Sequence, residues 1–227
     1  MLFYSFARRI LIGQIIVAAP ALAAGGAHVV DDAAVETPGT CHFENWATLA
    51  TGPSGLLNIS PACTRKTWPN IELGASFTHS WAAGARQSQI GLTPKFLLRS
   101  EDAGVGVGVA TSLAYGTGSG RFEAASVIVP ITVPVTPGLR INLNAGWQWV
   151  RSAGGHALFV GAQSEIKLTG KLNLMVEIFA RDQGKVGSQV GLRWTPGKSN
   201  FDIDLLGGRY LDGITRTAIT VGITVRR

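Results

Sequence analysis

Two residue pairs in this chain have the types that hydrolysis uses. His79-Ser80 is the one adjacent His–Ser pair, and a hydroxyl activated by an imidazole is the nucleophile of acyl transfer, the reaction of lipid-modifying barrel enzymes. Asp202 and Asp204 offer an acidic pair of the kind proteolysis employs. The first spacing does not suit an extended chain. Adjacent residues on a strand point to opposite faces, so His79 and Ser80 cannot bond to each other, and a dyad needs a more distant Ser; His156, at the same end, is the other candidate imidazole. Asp202 and Asp204 do share a face, but their strand begins at the periplasmic end, on the wrong side for a surface protease. Gly104-Val105-Gly106-Val107-Gly108 contains G-x-G without the strand–turn–helix setting of a phosphate loop. The His, Asp and Glu residues show no H-E-x-x-H or similar metal spacing. The expectation is therefore a protein that is not an enzyme, with no catalytic residue, metal or cofactor.

The elements that carry these residues have a period of two, which means strands. In 71–81, Ile71, Leu73, Ala75, Phe77 and Trp81 oppose Glu72, Gly74, Ser76, Thr78 and Ser80. Leu172, Leu174, Val176 and Ile178 oppose Asn173, Glu177 and Arg181, and Ile219, Val221, Ile223 and Val225 oppose Thr220, Gly222 and Thr224. Turn-forming clusters interrupt the alternation at 82–85, 100–103, 116–120, 135–138, 152–155, 169–170, 182–185, 195–199 and 211–213. These nine breaks delimit ten strands, and a hairpin turning at Thr51-Gly52-Pro53-Ser54-Gly55 brings the total to twelve. An even number puts both termini at the periplasmic end. About eleven residues at ~3.3 Å each, tilted ~40°, rise roughly 28 Å, enough for a bilayer span. Within 121–133, Val127, Val129, Ile131 and Val133 share parity with Arg121 and Glu123, and Pro130 and Pro134 lack ladder donors, so a bulge must switch the faces there.

Composition agrees with this reading. Charged residues make up 15% of 227 and Gly accounts for 29, too apolar for an ordinary soluble surface, yet no apolar run long enough for a membrane helix follows residue 24. A lipid-facing all-β antiparallel meander barrel of twelve strands resolves that conflict. Ten strands plus an N-terminal hairpin plug is the alternative. Arg8-Arg9, the apolar stretch from Ile10 to Leu22 and Ala21-Leu22-Ala23 read as a signal peptide over 1–23, followed by a flexible periplasmic segment over 24–39 and the barrel over 40–227. Losing Arg8 and Arg9 takes the formal charge from +6 to +4, which, with export, argues against a nucleic-acid partner. In an exported chain Cys41 and Cys63 form a disulfide by default, and the hairpin brings them opposite each other.

Parity puts Trp81, Tyr115, Phe122, Trp147 and Trp149 at one rim and Trp194 and Phe201 at the other, the pattern of aromatic girdles. It turns Lys95, Arg99, Arg140, Lys167, Arg181, Arg193 and Arg216 inward with Glu44, Glu72, Glu165, Glu177, Asp202 and Asp204, a near balance of seven cations against six anions. Gly104, Gly106, Gly108, Gly146, Gly187 and Gly191 suit a crowded lumen. The inward charges have two readings, a salt-bridge network that seals the interior or a narrow polar pathway that selects solutes. No connection after residue 68 exceeds about six residues, which argues against a receptor for bulky ligands.

Val30-Asp31-Asp32-Ala33, Pro38-Gly39-Thr40-Cys41-His42-Phe43-Glu44-Asn45-Trp46 and Pro61-Ala62-Cys63, leading into Ile71-Glu72-Leu73-Gly74, together resemble an uncharacterised family of proteobacterial outer-membrane β-barrels. That family is similar to the transporter-like barrels of the phenol-degradation meta-pathway. The likeness extends to Gly191-Leu192-Arg193-Trp194 and Ile203-Asp204-Leu205, and the paired Cys with Glu44 and Trp46 is its most distinctive part. The resemblance implies a location in the bacterial outer membrane and a barrel fold. One departure is the C-terminus, Thr224-Val225-Arg226-Arg227, where such barrels commonly present an aromatic residue to the assembly machinery. The expectation is a small passive channel or transporter-like protein for small solutes, with outer-membrane lipid and the barrel assembly machinery as partners. A sealed structural barrel, a lipid-modifying barrel enzyme and a soluble periplasmic β-barrel binder are the alternatives.

Overall fold

A computed structural model describes residues 27–151, 155–197 and 200–227. The signal peptide over 1–23 lies outside the described residues. The chain forms β1 (Cys41–Ala50), β2 (Ser54–Thr64), β3 (Ile71–Ala82), β4 (Ala85–Leu92), β5 (Lys95–Arg99), β6 (Gly106–Gly116), β7 (Arg121–Thr136), β8 (Leu139–Val150), β9 (Gly155–Lys167), β10 (Leu172–Arg181), β11 (Gly187–Trp194), β12 (Phe201–Arg209) and β13 (Ala218–Arg226). Apart from β4 and β5, which do not pair with each other, each pairs antiparallel with the next, and β13 pairs with β1, so the sheet closes on itself. Strands β4 and β5 both bridge β3 to β6 and are two halves of one stave. They part at Thr93-Pro94, because Pro94 has no N–H to give the ladder, although its carbonyl still accepts from Thr111 N at 3.0 Å. Thirteen strands thus make a closed barrel of twelve staves. The hairpin β1–β2 belongs to the wall, since β1 pairs with β13 and β2 with β3, which settles twelve staves against ten plus a plug. Cys41 and Cys63 are partners in the ladder and are disulfide-bonded.

The barrel is inside out relative to a soluble protein. Leu49, Leu92, Leu98, Leu158 and Ile219 stand more than 60% exposed on the outer face, while Asn58, Thr132, Asn142, Gln148 and Asp204 are fully buried within. Such an apolar exterior excludes the soluble binder and fits a bilayer. On β7 the bulge occurs as parity requires. The register with β6 shifts between Ala114 and Tyr115, which turns Glu123 inward and leaves Phe122 and Val127 outward. Trp81, Tyr115, Phe122, Trp147 and Trp149 end up near one rim, and Trp194 and Phe201 near the other.

Two expectations about the chain's course fail. The connection between β12 and β13 spans 210–217, longer than the short turns expected, and Arg216 lies exposed within it rather than on an inward strand face. The cause is local: Asp212 Oδ1 accepts from Ile214 N at 2.8 Å and Thr215 N at 2.7 Å, and its Oδ2 from Thr215 Oγ1 at 2.7 Å, an Asx turn that carries the loop past Gly213. The second concerns 24–39. From residue 27, where description begins, the segment is not a periplasmic tail; it runs inside the barrel.

Candidate functional site in the lumen

Residues 27–40 line the inner wall as a ring. Gln189 Nε2 on β11 donates to Ala27 O at 3.1 Å. Glu177 on β10 bonds His28 Nδ1 and accepts from Val29 N at 3.0 Å and Val30 N at 3.3 Å. On β8, Asn144 Oδ1 accepts from Asp31 N at 2.9 Å while its Nδ2 donates to Asp31 O at 2.7 Å. Thr132 Oγ1 on β7 accepts from Ala33 N at 2.9 Å, and Glu72 on β3 from Glu36 N at 2.8 Å. Gly39 N finally donates to Thr64 O at 2.6 Å on β2. The segment has no strand periodicity, so these wall side chains take the backbone groups that a ladder would otherwise satisfy. The wall has gaps shaped for it. A Cβ at Gly161 would lie 2.8 Å from Val30 Cγ2, one at Gly108 2.9 Å from Ala33 O, and one at Gly106 3.2 Å from Ala33 Cβ. Val29 and Val30 pack with Ile128, Phe159, Phe179 and Leu211 in an apolar cluster within the lumen.

Beside the ring lies a cavity of about 300 Å³. Most of the charges at or near it are paired, some from ring to wall and some within the wall. Lys95 Nζ sits 3.0 Å from Asp31 and 3.4 Å from Asp32. Arg140 reaches Asp32 at 3.6 Å, Glu101 at 3.1 Å and Glu165 at 3.2 Å. Arg193 makes two bonds to Asp204, at 2.8 and 3.0 Å. Arg226 clasps Glu36 at 2.8 Å and Asp202 at 2.6 Å. The ring crosses the lumen rather than the bilayer, and its own groups are strongly shifted. Burial disfavours the His28 imidazolium, yet the charge of Glu177 and the nearness of Asp204 raise it to about 9. Burial pushes the Asp31 carboxyl up to about 6 against the pull of Lys95. Glu36, though partly buried, is held down to about 2 by His42 and Arg226.

Of the charges expected inside, Glu72, Lys95, Arg140, Glu165, Arg193 and the wall acid Glu44 lie at or beside the cavity with Glu177, Asp202 and Asp204. Arg181 also faces inward but lies away from the cavity, bonded to Gln148 Oε1 at 2.9 Å and set over the Phe159 ring. Three expected lumen charges are corrected. A register shift between Leu97 and Arg99 turns Arg99 out, where it donates to Ala103 O at 2.6 Å. Lys167 keeps its parity but clears the rim at the end of β9 and is exposed, and Arg216 is in a loop. Sequence parity missed His28, Asp31, Asp32, Glu36 and Arg226, which bring three acids, one arginine and one histidine to the site. The signals present were the acids of Val30-Asp31-Asp32-Ala33 and the inward wall glycines.

The hydrolytic pairs separate as the strand geometry requires. Ser80 is buried inward and His79 points out, where its Nδ1 meets Ser88 Oγ of β4 at 2.8 Å. Asp202 and Asp204 are engaged by Arg226 and Arg193, so they are not a free acidic dyad. No group of three or more His, Cys, Asp or Glu suited to a metal ion occurs among the described residues.

The sequence pattern of one protein family, described as uncharacterised conserved protein UCP029691, matches residues 12–227. The chain belongs to this family. No curated protein matches this member. Among solved structures it is similar to the COG4313 outer membrane channel from Pseudomonas putida F1, with a TM-score of 0.65 at 11% identity over 87% of this chain and 98% of the other. It is also similar to the KdgM porin, at 0.64 and 11% over 81% and 98%. The NanC porin follows at 0.57 and 6% over 82% and 98%. At such identities the likeness is one of fold, and the fold is that of outer-membrane porins and channels. The relation to barrels of the phenol-degradation meta-pathway does not follow from these matches.

Proposed function

We propose that this UCP029691 member is a bacterial outer-membrane protein acting as a small passive channel or transporter-like barrel for small solutes, narrowed by the ring of residues 27–40. The observation that carries the reading is a polar, charged cavity enclosed by a closed barrel whose exterior is apolar. Solute paths in pores are lined in this way. The KdgM porin has been solved in complex with disordered oligogalacturonate, so a barrel of this fold admits a charged solute. A role in aromatic-compound uptake, as in the transporter-like barrels of the phenol-degradation meta-pathway, is a finer version of the same reading, supported by the resemblance of 30–46 and 61–74. Export by a signal peptide over 1–23, insertion by the assembly machinery and a non-enzymatic role complete it.

A sealed structural barrel is the second reading. The cluster of Val29 and Val30 with Ile128, Phe159 and Phe179 favours it, being an apolar layer inside the lumen. Single-channel conductance of the refolded mature chain in a planar bilayer decides between the two, with heat-modifiable gel migration confirming the fold. Discrete ohmic steps are expected. Heat-modifiable protein without steps overturns the channel and favours the sealed barrel.

A further inference from the structure

Sequence parity predicts near neutrality inside the barrel, and the structure makes it acidic. Three cations leave for the rim or a loop and Arg226 enters, while the ring brings in Asp31, Asp32 and Glu36 together with His28, whose imidazole is taken by Glu177. Around the cavity these meet Glu44, Glu72 and Glu165 of the wall, while Lys95, Arg193 and Arg226 are the lining residues with fixed positive charge. Each of these cations is already engaged. Lys95 serves Asp31 Oδ1 and Asp32, Arg226 serves Glu36 and Asp202, and Arg193 is taken by Asp204.

Two acceptors remain over. Asp31 is only 3% exposed, lines the cavity, and its Oδ2 has no hydrogen-bond partner. Glu44 also lines the cavity, one strand position inward from Phe43, and no hydrogen bond or ion pair holds its carboxylate among the described residues. A buried carboxylate oxygen without a partner is costly, and carboxylates in a low-dielectric site take up opposite charge. The cavity, about 300 Å³, sits at the small end of small-molecule sites. No group of three or more His, Cys, Asp or Glu placed to hold a metal ion occurs among the described residues. An ammonium or guanidinium, whose several N–H donors can reach separate carboxylates, matches the two free acceptors.

We infer that the cavity beside the ring is a binding site for a small organic cation bearing an ammonium or guanidinium, received by Asp31 Oδ2 and the Glu44 carboxylate. This rests on the channel reading for its biological role, but binding itself is testable without conduction. The probe is agmatine, which carries both groups, with glutarate as the anionic control, titrated calorimetrically into the refolded mature barrel in detergent. Reversal potentials in a salt gradient are read in parallel.

Saturable agmatine binding is expected, with no heat from glutarate and a cation-selective reversal potential. Glu44→Gln is expected to weaken agmatine tenfold or more while heat-modifiable migration is unchanged, because that carboxylate holds no other group. Asp31→Asn is the second variant, with the same expected direction. Agmatine binding that Glu44→Gln weakens upholds the site whether or not the barrel conducts, so absent steps would then overturn only the channel. Ohmic steps without agmatine binding, binding unchanged in both variants, or preference for glutarate overturn the site and leave the channel standing. Neither steps nor binding overturns both.

Discussion

Glu177→Gln should release the ring. Glu177 is 2% exposed and holds His28, the N–H groups of Val29 and Val30, and Gln163 Nε2 at 2.8 Å. The amide removes the negative charge facing His28 and sets an N–H against either the imidazole or Gln163. Breaking a buried charge pair by changing one partner costs about 3–5 kcal/mol. At about 1.4 kcal/mol per tenfold, the docked-to-released ratio of the ring falls by roughly 10²–10⁴. The wall loses little, since β10 keeps its backbone ladders to β9 and β11. Hydrogen exchange read by mass spectrometry on peptides covering 27–40 measures this directly, and protection there should drop by that factor while 172–181 stays protected. Thr220→Val is the control, removing a buried wall-to-wall bond of 2.8 Å to Thr48 at a cost near 1 kcal/mol without touching the ring. Exchange over 27–40 within threefold of the parent in Glu177→Gln would refute the idea that this carboxylate anchors the ring.

Other outcomes follow from the same geometry. Gly161→Val places atoms where Val30 Cγ2 now lies, 2.8 Å from a Cβ, and should raise exchange over 27–33 while migration on gels still shows a folded barrel. For His28, a base whose folded pKa of about 9 exceeds its ordinary 6.5, the stabilisation is complete below pH 6.5 and is lost as pH rises through about 9. Ring protection, corrected for intrinsic exchange, should therefore fall between pH 7 and 10, and His28→Gln should flatten that fall. Glu36 acts at the other extreme: its pKa is lowered to about 2 from 4.5, so its contribution is present above pH 4.5 and disappears as pH drops through 2. The Cys41–Cys63 bond closes a 22-residue separation, which corresponds to about 3 kcal/mol of chain entropy. Non-reducing mass spectrometry should find no free thiol, and the double Cys→Ala variant should unfold at lower denaturant.

Alternation exposed the strands because each faces lipid on one side and a polar interior on the other, so side-chain chemistry reports the face directly. The bulge on β7 was visible for the same reason, as valines and a glutamate of one parity cannot share a face across a bilayer. The ring was not visible. Its burial depends on Glu177, Asn144 and Thr132, each about a hundred or more positions away in sequence, and a segment anchored by its backbone leaves no periodic trace in its side chains. Arg216 and Arg99 went astray for local reasons, an Asx turn and a register shift, which a count of parity cannot register. The lumen's net sign failed with them, because it is a small difference between larger numbers and each misplaced residue changes it.

The pairing of β1 with β13 also constrains the order of assembly. His42 opposes Arg226 across that seam, so the two edges are the most distant parts of the barrel in sequence and their pairing carries the largest loop-closure cost in the wall. Arg226, on the stave that closes the seam, is also the residue that grips Glu36. A ring laid against the wall before the seam closes needs no threading, and Arg226 on the closing strand then fastens it. A chain that closed first would have to thread its amino-terminal segment into a finished cylinder. The seam acts as a checkpoint, coupling a filled interior to a completed wall.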